Sequence, residues 1–96
     1  YDGVSVTDKG ISWYMYDVAL TMQNISLAAH SLGMGTVHLG RFDAAAVGAI
    51  IKVPPNMVVV AMTPLGHPPL DANPVAPPRK KLEEIVSYDT FEPHAV

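Results

Sequence analysis

The fold is decided by residues 13–36, WYMYDVALTMQNISLAAHSLGMGT, which contain no proline and no glycine before Gly33. Apolar side chains recur there at helical spacing and also cover the other faces, so the pattern predicts a long buried helix over residues 13–32. Gly33 and Gly35 are predicted to end it, because glycine adopts the left-handed conformation at little cost. Polar residues interrupt the run too often for a membrane span: Asp17, Gln23, Asn24 and His30.

Residues 42–56 predict a second, shorter helix. Asp43 is a good N-cap for a helix over Ala44–Ile51, because its carboxylate can accept a hydrogen bond from a free N–H of the first turn. The sequence Pro54-Pro55-Asn56 then stops the helix and turns the chain.

The remaining segments predict one strand and one short helix. Residues 57–62 are apolar and rich in β-branched side chains, which is typical of a strand buried on both faces. Residues 64–78 hold six of the nine prolines and predict an extended crossing segment. Residues 79–87 predict a short helix whose inward face carries Leu82, Ile85 and Val86.

Composition limits the class of protein. Of the 96 residues, 49% are hydrophobic and 16% are charged, which is an apolar balance for a short chain with much surface to cover. We expect that surface to be covered by more of the same protein and by a second copy. The net charge of −3 gives no indication of the positively charged surface with which proteins bind nucleic acid or an anionic membrane. The chain has no cysteine, which excludes disulfides and a thiolate site and fits a cytoplasmic protein.

Taken in order, these elements resemble the second half of the nitroreductase-like, FMN-dependent oxidoreductases. The resemblance rests on Trp13, Asp17, Gln23, Asn24, residues 27–36, Phe42, Asp43, Pro54, residues 58–60, Leu65, Gly66 and residues 79–86. It implies an α+β fold that forms a homodimer through the long helix, with FMN at the dimer interface. It also implies that residues 1–96 are the C-terminal part of one domain, whose N-terminal part lies outside this chain.

The activity implied by the resemblance is the transfer of a hydride from NAD(P)H through FMN to a small-molecule acceptor, such as a nitroaromatic or a quinone. The cofactor supplies the chemistry, and the protein supplies binding, orientation and electrostatics. Two alternatives stay open. One is a non-catalytic flavin-binding or dimerisation module of the same fold, and the other is a flavin-free interaction domain whose apolar helix docks on another protein.

In proteins of this family, the segment after the long helix passes beside the flavin ring and offers backbone N–H groups to it. The corresponding candidate cofactor-binding residues here are His38, Leu39, Gly40 and Arg41. Gly40 allows a close approach to the ring because it has no Cβ. Some branches of the family carry a proline and an acidic residue in this stretch, where this sequence has His38 and Gly40.

Basic residues before the last helix contact the FMN phosphate in relatives, and here the matching residues are Arg79, Lys80 and Lys81. Arginine presents a fork to phosphate oxygens, and lysine adds a point charge. The alternative is a solvated basic patch that pairs with Glu83 and Glu84 along the same turn. The Arg-rich motif with which relatives begin has no counterpart in residues 1–12.

We predict no catalytic side chain and no metal site. His30 and His38 are eight residues apart across the glycine turn, which is not a known ligand spacing, and His67 and His94 lie in proline-rich or terminal segments. We interpret Asp17 as a helix residue that bonds a neighbouring loop, since a buried carboxylate needs a partner.

Overall fold

The computed structural model describes residue 10 and residues 12–91, so nearly all of the loop predicted over residues 1–11 lies outside the described residues. The elements in chain order are helix α1 (Trp13–Ser31), strand β1 (Gly35–Thr36), helix α2 (Ala44–Ile51), strand β2 (Leu65–Gly66) and a 3-10 helix (Leu82–Glu84). Both helices predicted in the first half of the chain are therefore confirmed, with α1 one residue shorter than expected.

A glycine turn ends α1 and returns the chain alongside it. Gly33 has a φ of +72°, in the left-handed region. Its N–H donates to the carbonyl of His30 at 3.0 Å, and the N–H of Met34 donates to the carbonyl of Ala29 at 2.9 Å. These two bonds are the Schellman pattern, which satisfies carbonyls of the last helical turn. Gly35 does not take part in the cap, contrary to expectation, and lies in β1.

Helix α2 begins with the predicted cap and ends in a less favourable one. The Oδ1 atom of Asp43 accepts the N–H of Ala46 at 3.0 Å. At the other end, Lys52 adopts φ +58° and ψ +47°, a left-handed conformation that its Cβ disfavours. The N–H of Val53 then donates to the carbonyl of Gly48 at 2.9 Å. The helix thus ends just before the proline pair that the sequence marks as its stop.

The sheet joins residues 35–39, which follow α1, to residues 62–66, where the proline-rich segment begins. Strands β1 and β2 are antiparallel, with Gly35 opposite Gly66. In the same register, Leu39 and Met62 form an isolated bridge, in which the two residues exchange N–H···O bonds of 2.8 and 3.0 Å.

Pro64 interrupts the ladder between the strands and the bridge. The register places Val37 opposite Pro64, which has no N–H to donate. The hydroxyl of Thr63 accepts the N–H of Val37 at 3.2 Å and donates to the carbonyl of Pro64 at 2.9 Å. The Thr63 hydroxyl therefore replaces the direct hydrogen bond that the Val37 N–H would make to the Pro64 carbonyl. As a result the sheet consists of the β1–β2 pair and the separate Leu39–Met62 bridge.

The strand predicted over residues 57–62, buried on both faces, is not formed as expected. Of that run only Met62 pairs, and β2 lies further along the chain with both of its residues exposed. Met57 and Val58 are 64% and 56% exposed. The physical reason is that a strand needs a hydrogen-bonding partner, and among the described residues the partner segment ends opposite Met62.

Little of the chain is buried by the chain itself. Among residue 10 and residues 12–91, Met22 and Ala29 of α1 are the buried ones, at 9% and 5% exposure. The accessible surface is 8665 Å², whereas a compact monomer of 10.3 kDa exposes roughly 5,400 Å². Leu82 and Ile85 were predicted to face inward, yet they are 67% and 60% exposed. Within the described residues, the apolar surface that α1 was predicted to bury is therefore covered only around Met22 and Ala29, and most of it stays exposed.

Among the helices described here, none has both the length and the apolar character needed to cross a membrane.

Candidate functional site

The segment predicted to lie beside the flavin runs along an edge of the small sheet. The N–H of Val37 donates to the hydroxyl of Thr63, and the N–H of Leu39 donates to the carbonyl of Met62. Successive N–H groups of an extended segment point in opposite directions. The N–H groups of His38 and Gly40 therefore point away from residues 62–66.

These outward N–H groups are available to a ligand. Within residue 10 and residues 12–91, no group accepts a hydrogen bond from the backbone N–H of His38, Gly40 or Arg41. A row of unpaired N–H groups at a sheet edge requires an acceptor or water. Electronegative ring atoms of a planar ligand are suitable acceptors.

Leu39 contributes differently from its neighbours. Both its N–H and its carbonyl are bonded to Met62, so its backbone is committed to the sheet. Its side chain is 41% exposed and remains able to contact a ligand. Of the predicted segment, the backbone of His38 and Gly40 is therefore better placed for binding than that of Leu39.

Gly40 faces open space. A Cβ atom built on this residue meets no heavy atom within 4 Å. Its φ is also outside the left-handed region, so the backbone conformation does not require glycine. Neither the backbone conformation nor a neighbouring atom of the described residues therefore requires glycine at position 40. A requirement for glycine would come from a ligand that packs against it, as the close approach predicted from the sequence implies.

A hydroxyl–imidazole cluster, which the sequence did not predict, ties this segment to α1. The Nε2 atom of His38 lies 2.8 Å from the hydroxyl of Ser26. The hydroxyl of Thr36 donates to the Ser26 oxygen at 3.3 Å, and Ser26 donates to the carbonyl of Met22 at 3.0 Å. Ser26 is twelve residues from His38 across the glycine turn, so no local pattern marks the pair.

The basic cluster of Arg79, Lys80 and Lys81 is exposed and precedes the 3-10 helix. The backbone N–H of Lys81 donates to a carboxylate oxygen of Glu84 at 2.6 Å. This bond comes from the backbone of Lys81, so the pairing predicted between the basic side chains and the following acidic residues stays a prediction. Among the described residues, no hydrogen bond joins the basic cluster to residues 38–41. The structure therefore does not connect the two halves of the predicted site.

Two grooves formed by the described residues lie away from the predicted site. One of about 510 Å³ runs beside α2, and one of about 1070 Å³ separates the glycine turn from the proline-rich segment. Neither is lined by the residues predicted to bind the cofactor. In the part of the chain that the structure describes, no group of three or more histidine and acidic side chains is arranged to hold a metal ion.

Taken separately, the two halves of the predicted site carry groups of the kind that bind a flavin. His38 and Gly40 present unpaired N–H groups at one edge, Gly40 leaves room for a close contact, and the basic cluster has its charges exposed for a phosphate.

Comparisons with known proteins extend over most of the chain. A family model described as "Nitroreductase family" matches residues 3–67. The NADPH-flavin oxidoreductase of Vibrio harveyi is 36% identical over 78 residues, which are 79% of this chain and 32% of that protein. The NADPH-dependent oxidoreductase of Staphylococcus haemolyticus is 33% identical over 81 residues, which are 82% of this chain and 32% of that protein.

The solved structure of B. megaterium NfrA1 matches with a TM-score of 0.73 and 30% sequence identity. The match covers 83% of this chain and 32% of NfrA1. The chain therefore spans about a third of the length of the relatives that it matches.

Proposed function

The chain belongs to the nitroreductase family, with the α+β fold expected from its sequence, and on this premise we propose that it is part of an FMN-dependent NAD(P)H oxidoreductase. The observation that carries the proposal is the combination of the family match with an open N–H edge at His38 and Gly40. The relative from Vibrio harveyi is named an NADPH-flavin oxidoreductase, which supports the same cofactors for this chain.

His38, Leu39, Gly40 and Arg41 are proposed to border the isoalloxazine ring. The N–H groups of His38 and Gly40 donate to it, and the Leu39 side chain packs against it. Arg79, Lys80 and Lys81 are proposed to bind the phosphate through charge-assisted hydrogen bonds. FMN, when bound, supplies the two-electron chemistry between NAD(P)H and a nitroaromatic, a quinone or a similar acceptor.

The uncovered surface supports an assembly larger than this chain. Exposed apolar side chains of α1 include Leu20 and Leu27, at 51% and 60% exposure, and Leu32, directly after the helix, is 72% exposed. Burial of such side chains is the main favourable term in association. We propose that α1 packs against the remaining part of the same protein and against the α1 of a second copy.

The proposed function is tested with the purified full-length protein that contains this chain. We expect a yellow protein that consumes NADH or NADPH when menadione or a nitroaromatic is supplied. Bound flavin without nicotinamide consumption would favour the non-catalytic module. A colourless preparation that does not take up added FMN would contradict the proposal.

A further inference from the structure

The Ser26 hydroxyl contacts three different parts of the chain. These are the Met22 carbonyl within α1, the Thr36 hydroxyl of β1 and the His38 imidazole beside it, at 3.0, 3.3 and 2.8 Å. A hydroxyl has one proton to donate and two lone pairs to accept with. All three contacts are hydrogen bonds together only when Ser26 donates to Met22 and accepts from both Thr36 and His38.

This count determines whether the Nε2 atom of His38 donates or accepts in its contact with Ser26. In the fully bonded arrangement, Nε2 carries a hydrogen and donates it to Ser26, and Nδ1 remains the outer ring atom. Ser26 is half-buried, and its partner ring is exposed. The imidazole is therefore fixed at its inner end by a helix residue.

The backbone of the same segment is fixed in a second direction. Bonds to Thr63 and Met62 hold the N–H groups of Val37 and Leu39 within the plane of the sheet. Side chains of a strand project out of that plane. The bond from the His38 side chain to Ser26 therefore restrains residues 37–39 perpendicular to the sheet, a direction that the sheet bonds leave free. The edge of the sheet that carries the N–H groups of His38 and Gly40 stays open.

We propose that Ser26 is a positioning residue for the flavin: through His38, it holds the N–H groups of residues 38 and 40 in the orientation that receives the ring. This inference rests on the proposed function and deepens it, since it assigns a role to a helix residue that does not itself lie in the predicted site. Preorganised donors bind more tightly than donors that must first be ordered, which is the physical basis of the effect.

The test measures FMN dissociation constants of the full-length apoprotein by quenching of FMN fluorescence. Ser26→Ala removes the three hydrogen bonds of this hydroxyl, and the loss of the one that holds His38 is expected to weaken FMN binding roughly three- to tenfold. Ser26→Thr keeps the hydroxyl and should restore binding. Ser31→Ala is the matched control, because the Ser31 hydroxyl bonds only to the Ala28 carbonyl of the same helix, at 2.7 Å, and this variant should bind FMN normally.

A double-mutant cycle separates positioning from a general loss of stability. If Ser26 acts through His38, the Ser26→Ala effect should disappear in a His38→Ala background. An undiminished effect in that background would overturn the inference, as would normal FMN binding by Ser26→Ala. In either case the wild-type protein still binds FMN and the proposed function stands. A wild-type protein that binds no FMN would instead overturn the proposed function and this inference with it.

Discussion

The two halves of the proposed flavin site differ in how they are held. Residues 37–39 are bonded to the sheet through Thr63 and Met62 and to α1 through Ser26. Residues 79–81 are exposed, and the described hydrogen bonds of this cluster are the two that join Lys81 to Glu84 within the same turn. One half is thus tied to the sheet and to α1, whereas the bonds of the other half stay within its own turn.

This difference has a physical cause. Residues 37–39 follow a glycine turn that returns them to α1, and the antiparallel pairing with residues 62–66 brings Thr63 and Met62 to their other side. The basic cluster follows a proline-rich segment whose apolar side chains are almost wholly exposed, with Leu70 at 108% and Val75 at 92%. Such side chains provide no burial energy to fix the segment until another surface covers them.

The largest effect is expected at Gly40, in the fixed half. Gly40→Val should weaken FMN binding by about a hundredfold, because a rigid segment cannot retreat from the ring and overpacking costs up to about 3 kcal/mol. FMN titration of the apoprotein measures the effect. Gly66→Val is the control, since Gly66 also faces open space but lies in β2. Normal FMN binding by Gly40→Val would place the ring elsewhere.

A smaller effect is expected at Arg79, in the open half. Arg79→Ala should weaken FMN binding about tenfold with an unchanged melting temperature, because a charge-assisted hydrogen bond is lost from an exposed side chain. The control is Lys52→Asn, which removes a positive charge from the end of α2. If Arg79→Ala binds FMN as the wild type does, the basic cluster is a solvated patch and the two halves do not form one site.

The glycine turn after α1, which returns residues 37–39 to that helix, is tested by substitutions at two residues in the left-handed conformation, Gly33 and Lys52. Gly33→Ala should lower the free energy of unfolding by about 1 kcal/mol, because a Cβ is disfavoured at φ +72°. Lys52→Gly, at φ +58°, should raise it by about 0.5 kcal/mol, since relief of strain is partly offset by the entropy of the unfolded chain. Equilibrium urea unfolding measures both. Effects of the same sign in the two variants would contradict the cap assignment.

The smallest effect is expected at the hydroxyl that bridges the ladder. Thr63→Val removes two hydrogen bonds at a partly exposed position where water replaces them, so it should lower the free energy of unfolding by about 0.5 kcal/mol. Thr63→Ser keeps the hydroxyl and should be neutral. Hydrogen exchange of the Val37 amide provides a local measurement. Unchanged protection of that amide in Thr63→Val would show that the bridge does not hold the segment.

Local signals in the sequence predicted α1 and α2 well, whereas the short helix predicted over residues 79–87 is reduced to the 3-10 helix Leu82–Glu84. The glycine after α1 and the aspartate before α2 act through bonds to residues within five positions, so they depend on no other part of the protein. The strand was predicted too early in the chain, because β-branched residues indicate strand preference but not where a partner is available. Only the proline in Thr63-Pro64 marks the point at which the ladder breaks.

The candidate site was less accessible to sequence reasoning. The residues near the ring and the basic cluster came from the family resemblance, and their role in binding stays a prediction. The anchoring role of Ser26 had no sequence signal, since its partner lies across a turn and neither residue is unusual by itself. The inward faces predicted for Leu82 and Ile85 depend on a covering surface that the described residues do not supply.

We propose that this chain is part of a dimeric flavoprotein, and native mass spectrometry of the purified full-length protein can decide this point. We expect a native mass of two subunits with bound FMN, which is released when the protein is denatured. A native mass equal to one subunit, or to two subunits without FMN even after incubation with the cofactor, would contradict it.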